Sequence, residues 1–227
     1  AFREKGWITA EQVLSGFKSS DEPVPPPDLN EEQTHAVSQV IACAHQFKPF
    51  LLHGITGSGK TEVYMQILQK ILIEPDAQAL VLVPEINLTP QLEARFRNRL
   101  PHFPLVSLHS NLSESERLQN WRLAQSGQAR IIIGTRLAVF TPIPNLKVVL
   151  VDEEHDGSYK QQDSMRYHAR DVAMVRAQRN KVPIVMGSAT PALETWQNAQ
   201  TGKYTLLTLN SRAVAQSALP NIRCIDT

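Results

Sequence analysis

The segment His53-Gly54-Ile55-Thr56-Gly57-Ser58-Gly59-Lys60-Thr61 carries the spacing G-x-x-x-x-G-K-[ST] in full. Residues of these types at this spacing can hold a chain of phosphates. Gly54, Gly57 and Gly59 let the backbone curl until its N–H groups face an anion, with Thr56 and Ser58 completing the loop. Lys60 is then within reach of the β- and γ-phosphates, and the Thr61 hydroxyl is placed to ligate Mg²⁺. A second group of chemically able residues is Asp152-Glu153-Glu154-His155. Asp152 is suited to hold Mg²⁺ opposite Thr61, and Glu153 to orient and polarise a water attacking the γ-phosphate. A solvated acidic turn is the bland alternative, and the pairing with the glycine-rich loop weighs against it. His155 adds a titratable donor. In Gly187-Ser188-Ala189-Thr190, Ser188 and Thr190 are small hydroxylated residues able to hydrogen-bond the acidic segment and couple nucleotide state to another surface. Thr190 as the cap of a helix beginning at Pro191 is a second, compatible reading.

These residues need elements to position them. Phe50-Leu51-Leu52 is a short apolar run of the buried-strand type, and residues 62–73 carry Val63, Ile67, Leu68, Ile71 and Leu72 at helical spacing. The glycine-rich loop therefore joins a strand to a helix N-terminus, where the helix dipole favours an anion. Upstream, Asn30-Glu31-Glu32-Gln33 reads as an N-cap with Gln at the third helical position, followed by Ala36, Val37, Val40, Ile41 and Ala44 on one face. Downstream, residues 79–83, 105–108, 131–133, 148–151 and 184–186 are strand-like apolar runs. Thr89-Pro90 starts a helix with Pro at its first position, and Ser113-Glu114-Ser115-Glu116 is a capping box for a helix through about Gln125, stopped by Ser126-Gly127. Strands alternating with helices predict an α/β fold with a mostly parallel central sheet flanked by helices, its chemistry at the carboxyl ends of the strands.

A chain of 227 residues suits one such lobe with a short appendage. The net charge of +1 neither demands nor excludes nucleic acid. Cys43 and Cys224 are the two cysteines, without a C-x-x-C pair, so neither a disulfide framework nor a zinc site is encoded in them. No apolar run approaches the roughly 20 residues that span a bilayer. A reduced, cytoplasmic setting without membrane contact is the expectation. Residues 1–18 read as the end of a preceding domain, and residues 19–29, with Pro23, Pro25, Pro26 and Pro27, as an extended linker. Residues 30–210 form the expected lobe and 211–227 the start of a further connection. The start without Met and the end without a closing element suggest a fragment.

Taken in order, Gln33, the loop at 54–61, Pro84-Glu85-Ile86-Asn87-Leu88-Thr89-Pro90, Gly134-Thr135-Arg136, the acids at 152–155 and the turn at 187–190 resemble the first-lobe motifs of superfamily 2 helicases. Ser158-Tyr159-Lys160-Gln161-Gln162 and Arg166-Tyr167-His168-Ala169-Arg170-Asp171 narrow the likeness to the bacterial primosomal helicases that restart replication. The resemblance implies a RecA-like phosphate-loop lobe of an ATP-dependent 3′-to-5′ DNA helicase, with ATP and Mg²⁺ as its cofactors. It implies that Gln33 reads adenine, with plain capping as the alternative. It places Arg136, Tyr159, Lys160 and Arg166 on DNA, with a surface ion pair for Arg136 and packed tyrosines in a structural loop as the alternatives. Forked and single-stranded DNA, single-stranded DNA-binding protein and other primosome proteins are the implied partners. The second lobe with its arginine fingers, the zinc-binding cysteines and the 3′-end-binding domain of that family are not in this chain. Residues 1–18 resemble the close of its winged-helix domain.

Two further readings fit the bare residues. A phosphate-loop kinase for a small molecule would need an acceptor pocket and a lid, and no Arg-rich lid segment stands out. An ATP-gated DNA-binding or scaffold module would use the same loop without unwinding.

Overall fold

Strand runs that are apolar at every position imply burial on both faces, and the core divides accordingly. The computed structural model describes residues 27–163 and 165–211. Its main strands are β1 (Pro49–Gly54), β2 (Gln78–Leu82), β3 (Leu105–Leu108), β4 (Ile131–Gly134), β5 (Leu146–Val151), β8 (Ile184–Ser188) and β9 (Thr205–Leu209). They form one seven-stranded sheet, parallel throughout, in the order β3-β4-β2-β5-β8-β1-β9. Two short strands, β6 (Lys160–Gln161) and β7 (Tyr167–His168), make a separate antiparallel pair.

Alternate side chains leave each strand on opposite faces, so each apolar run feeds two cores. Ala79, Val81, Ile131, Ile133, Val148, Leu150 and Val185 join one cluster. Leu80, Leu82, Ile132, Val149, Val151, Ile184 and Met186 join the other. Helices α1 (Glu31–Ile41) and α2 (Lys60–Ile71) supply Val37, Val40, Val63, Ile67 and Leu68 to the first, and α3 (Pro90–Arg99) adds Phe96. The second is covered by α4 (Glu114–Gln125) through Ala124 and by α5 (Ala169–Asn180) through Ala169, Ala173 and Ala177. Helix α6 (Leu193–Gln200) lies by β1 and β9.

Local chemistry sets the helix starts. Asn30 and Gln33 form a reciprocal capping box on α1, Thr89 caps α3 ahead of Pro90, and Ser113 with Glu116 caps α4. α1 ends at Ile41, so Ala44 lies in the following turn rather than on the helix. α2 runs from Lys60 to Ile71, two residues earlier at each end than the periodicity suggests, and leaves Ile73 exposed. The expectation that Thr190 caps a helix at Pro191 is corrected: α6 starts at Leu193 with Ala192 as its N-cap residue and no side-chain cap. The expected appendage at 1–18, the linker as far as residue 26 and the connection beyond residue 211 lie outside the described residues.

The strand order does the positioning. The loops after the neighbouring strands β5, β8 and β1 stand side by side at the carboxyl ends of the sheet, so residues far apart in the chain meet there.

Candidate active site

The glycine-rich loop leaves β1 at Gly54 and enters α2 at Lys60. Gly57 and Gly59 have φ of 81° and 85°, a region that a side chain makes costly. α2 starts from Gly59 without any side-chain cap, unlike α1, α3 and α4. Its first N–H groups have no acceptor within the helix, and the dipole adds positive potential at the same point. A loop of this shape ending on a bare helix N-terminus fits a phosphate chain.

Lys60 is buried, and its ammonium donates to the Gly54 carbonyl at 2.9 Å and lies 3.6 Å from Glu153 Oε1. The lysine and the acidic segment therefore share one cleft. Glu153 itself has φ of 43°, an uncommon left-handed conformation for a side-chain-bearing residue and a form of strain found at functional sites. Its other oxygen lies 3.6 Å from His155 Nδ1.

Asp152 follows β5, and its Oδ1 accepts a hydrogen bond from the Tyr64 phenol at 3.1 Å. Tyr64 comes from α2 and crosses above β8 to reach that acid, passing where Gly187 has no side chain. A Cβ at Gly187 would stand 1.6 Å from the phenol oxygen. Burial and the Asp152 charge push the Tyr64 phenol well above its ordinary value, so it remains a donor. Burial first, and the Glu153 charge second, raise the Asp152 carboxyl from 3.8 to about 6, against the pull of Tyr64 and Lys60.

This shift has a measurable consequence. The folded carboxyl keeps its proton at pH values where the unfolded one has lost it. Ionising Asp152 thus costs stability above about pH 6, part of it between 3.8 and 6, and none well below 3.8. In metal-free buffer, Asp152→Asn is expected to stabilise the chain at pH 7.5 by on the order of 1 kcal/mol, a figure reduced for partial solvent exposure. Denaturant unfolding at pH 7.5 and near 3.5 checks it. The gain should vanish at the lower pH, and an equal gain at both would contradict the assigned cause.

His155, Ser188 and Thr190 lie together. His155 Nδ1 lies 2.7 Å from Ser188 Oγ and Nε2 lies 3.3 Å from Thr190 Oγ1. Ser188 Oγ also accepts from the Thr190 N–H at 3.0 Å. Gln33 is buried and does two things: its Oε1 accepts from the Asn30 N–H at 3.0 Å, and its Nε2 donates to the Ser58 carbonyl at 2.8 Å. The capping residue is therefore also tied to the glycine-rich loop.

Glu154 turns the other way. Fully buried, it accepts from Arg170 Nη1 at 2.9 Å, Thr195 Oγ1 at 2.8 Å and the Ala192 N–H at 2.8 Å. It supplies the N-terminal contact of α6 that Thr190 was expected to give.

Among the DNA candidates, Lys160 and Arg166 are exposed. Arg136 donates to the carbonyls of Ser158 at 3.0 Å and Lys160 at 3.2 Å, which fastens the 158–160 segment to the end of β4 rather than making a surface ion pair. Tyr159 corrects the expectation of base stacking: it is fully buried and donates to the Asp152 carbonyl at 2.6 Å. A ring that packs in the core and spends its hydroxyl on backbone presents no face to a base. Tyr167 packs edge-on against Phe140, ring centroids 4.9 Å apart. Among the described residues no group of three His, Cys, Asp or Glu could hold a metal alone, so Mg²⁺ at Thr61 and Asp152 would rely on phosphate oxygens for further ligands. No helix there is long and apolar enough to cross a membrane.

A capless helix after β1 and an acid after β5, facing each other across the end of β8, define a RecA-like phosphate-loop lobe of the helicase type. Residues 31–199 match the DEAD/DEAH box helicase family, and the chain belongs to it. It is 52% identical over 191 residues to the replication restart protein PriA of Haemophilus influenzae, a match covering 84% of this chain and 26% of that protein. It is 43% identical over 212 residues to PriA of Bacillus subtilis, covering 92% and 26%. The chain thus spans about a quarter of the length of these relatives. RecG bound to a three-way DNA junction shares the fold at TM-score 0.63 and 23% identity, over 86% of this chain and 25% of that one. The DUF1998 helicase MrfA bound to DNA does so at TM-score 0.58 and 18% identity, over 81% and 27%.

Proposed function

We propose that this chain is the ATP-binding first motor lobe of a cytoplasmic 3′-to-5′ DNA helicase that remodels stalled forks and starts primosome assembly for replication restart. The observation that carries the reading is the shared cleft, in which the Lys60 ammonium stands 3.6 Å from the Glu153 carboxylate beside Asp152. The identity to PriA proteins supports the restart role.

In this reading the loop from Gly54 to Thr61 holds the phosphates, and Lys60 neutralises the β- and γ-oxygens in exchange for the Gly54 carbonyl. Thr61 and Asp152 would hold Mg²⁺, which when bound would neutralise charge on the phosphates. Glu153 orients the attacking water. Gln33 reads adenine, and its bond to the Ser58 carbonyl carries that contact to the loop. His155 joins Glu153 to Ser188 and Thr190, and so links the hydrolytic acid to the turn after β8. Arg136, Lys160 and Arg166 form the face toward the DNA strand, and Arg136 also ties down the backbone of the 158–160 segment. Forked and single-stranded DNA are the substrates, and single-stranded DNA-binding protein and primosome components the partners. A second lobe from the rest of the protein completes the site with arginine fingers, and zinc belongs to that remainder. The lobe alone should therefore turn ATP over slowly.

Strand displacement by the full-length protein on forked DNA, wild type against Lys60→Ala, tests the reading. Loss of displacement by about 100-fold or more is expected, since the lysine serves both phosphate binding and charge neutralisation. Forks with only a 3′ or only a 5′ single-stranded tail read the direction. Displacement by the variant close to wild type would remove the motor assignment.

A further inference from the structure

A cavity of about 330 Å³ opens between α4, the end of β3 and the 3₁₀ turn Arg136–Phe140. It lies outside the nucleotide cleft, and its volume is that of a small-molecule site. Arg117 and Trp121 face it from successive turns of α4, and Leu108, Leu137, Thr141 and Arg136 line the rest. Two features of its lining call for an occupant. Thr141 is 1% exposed, yet its hydroxyl has no hydrogen-bond partner, and the buried Nε of Arg136 has none either. Leu137, on the same wall, is 61% exposed. The acid on that wall, Glu85, accepts from Ser110 at 2.7 Å.

A flat aromatic ring beside apolar walls, unsatisfied donors in the lining and cations close by match a planar heterocycle carrying acceptor atoms and a phosphate tail. Arg136 also donates to the carbonyl of the exposed Lys160, so the cavity adjoins the face assigned above to DNA. We propose that this cavity takes one unstacked base of the single strand, with Trp121 stacking on it and Thr141 hydrogen-bonding its edge while Arg117 and Arg136 meet the adjoining phosphates. The proposal rests on the reading of the chain as a DNA motor lobe and adds a base site to it.

The test is the affinity of the full-length protein for two probes of equal length, oligo-dT of 20 nucleotides and the same backbone with abasic positions throughout. Trp121→Ala should weaken dT binding by about tenfold and leave abasic binding unchanged, while Trp121→Phe keeps most of the affinity. Thr141→Val preserves shape and removes the hydroxyl. It should raise the melting temperature, because a buried unpaired group is lost, and lower dT affinity several-fold. That opposite movement is not produced by a purely structural threonine, and it keeps the proposal testable if Trp121→Ala fails to fold. Equal loss on both probes, or dT affinity unchanged in Trp121→Ala or Thr141→Val, overturns the base site and leaves the motor reading standing. Wild-type protein that binds neither probe overturns both.

Discussion

Full-length protein carrying Glu153→Gln is expected to bind ATP within about threefold of wild type and to hydrolyse it roughly 10³-fold more slowly. Glutamine keeps the shape of the side chain and its fit beside Lys60 and His155, each 3.6 Å away, but loses the negative charge. The charge is what can accept a proton from water or polarise it. The backbone at this residue, at φ 43°, is shared by both forms, so the variant tests chemistry rather than fold. Binding is read with a fluorescent ATP analogue and turnover by phosphate release with single-stranded DNA present. Turnover within tenfold of wild type would move the water-activating role away from Glu153. The contrast with Lys60→Ala is informative, because removing the lysine should weaken nucleotide binding itself.

The neighbouring acid yields the largest expected change in stability. Arg170→Ala should lower the unfolding free energy of the chain by about 3–5 kcal/mol, because it strands a buried carboxylate. Glu154 would keep Thr195 and the Ala192 N–H but lose the guanidinium that neutralises it from 2.9 Å. Domains of this size are stable by only about 5–15 kcal/mol, so the variant should be marginal at growth temperature. Pairing it with Glu154→Gln should restore much of the loss, since the neutral amide no longer needs the guanidinium. Urea midpoints of the two singles and the double measure this coupling. Strictly additive losses would show that the two side chains do not act together.

Signals confined to a few neighbouring residues are legible in the sequence. The glycine-rich loop is spelled by its own letters, the caps of α1, α3 and α4 lie within one turn of the N–H groups that donate to them, and the core strands declare double burial by unbroken apolar runs. Helix α5 is not legible in this way: apart from Ala169, Ala173 and Ala177 its surface is mixed, and alanines spaced by four bury a face without marking it. β9 passes as a trailing segment until β1 is seen to pair with it. Tyr159 looks exposed in a polar loop because its acceptor, the Asp152 carbonyl, is brought to it by the fold. The structural role of Glu154 is hidden among three successive acids for a similar reason, since Thr195 and Ala192 lie far from it in sequence and meet it only through the packing of α6. Tyr64 reads as one more apolar helix position, and its bond to Asp152 depends on the order of strands.

That phenol, laid across the bare backbone of β8, makes residues 64 and 187 a lock and its keyway. The glycine cannot grow while the tyrosine keeps its length, so the pair should drift through descent together: a lineage that shortens the tyrosine frees the glycine to grow, and gives up the strut that holds Asp152 from behind.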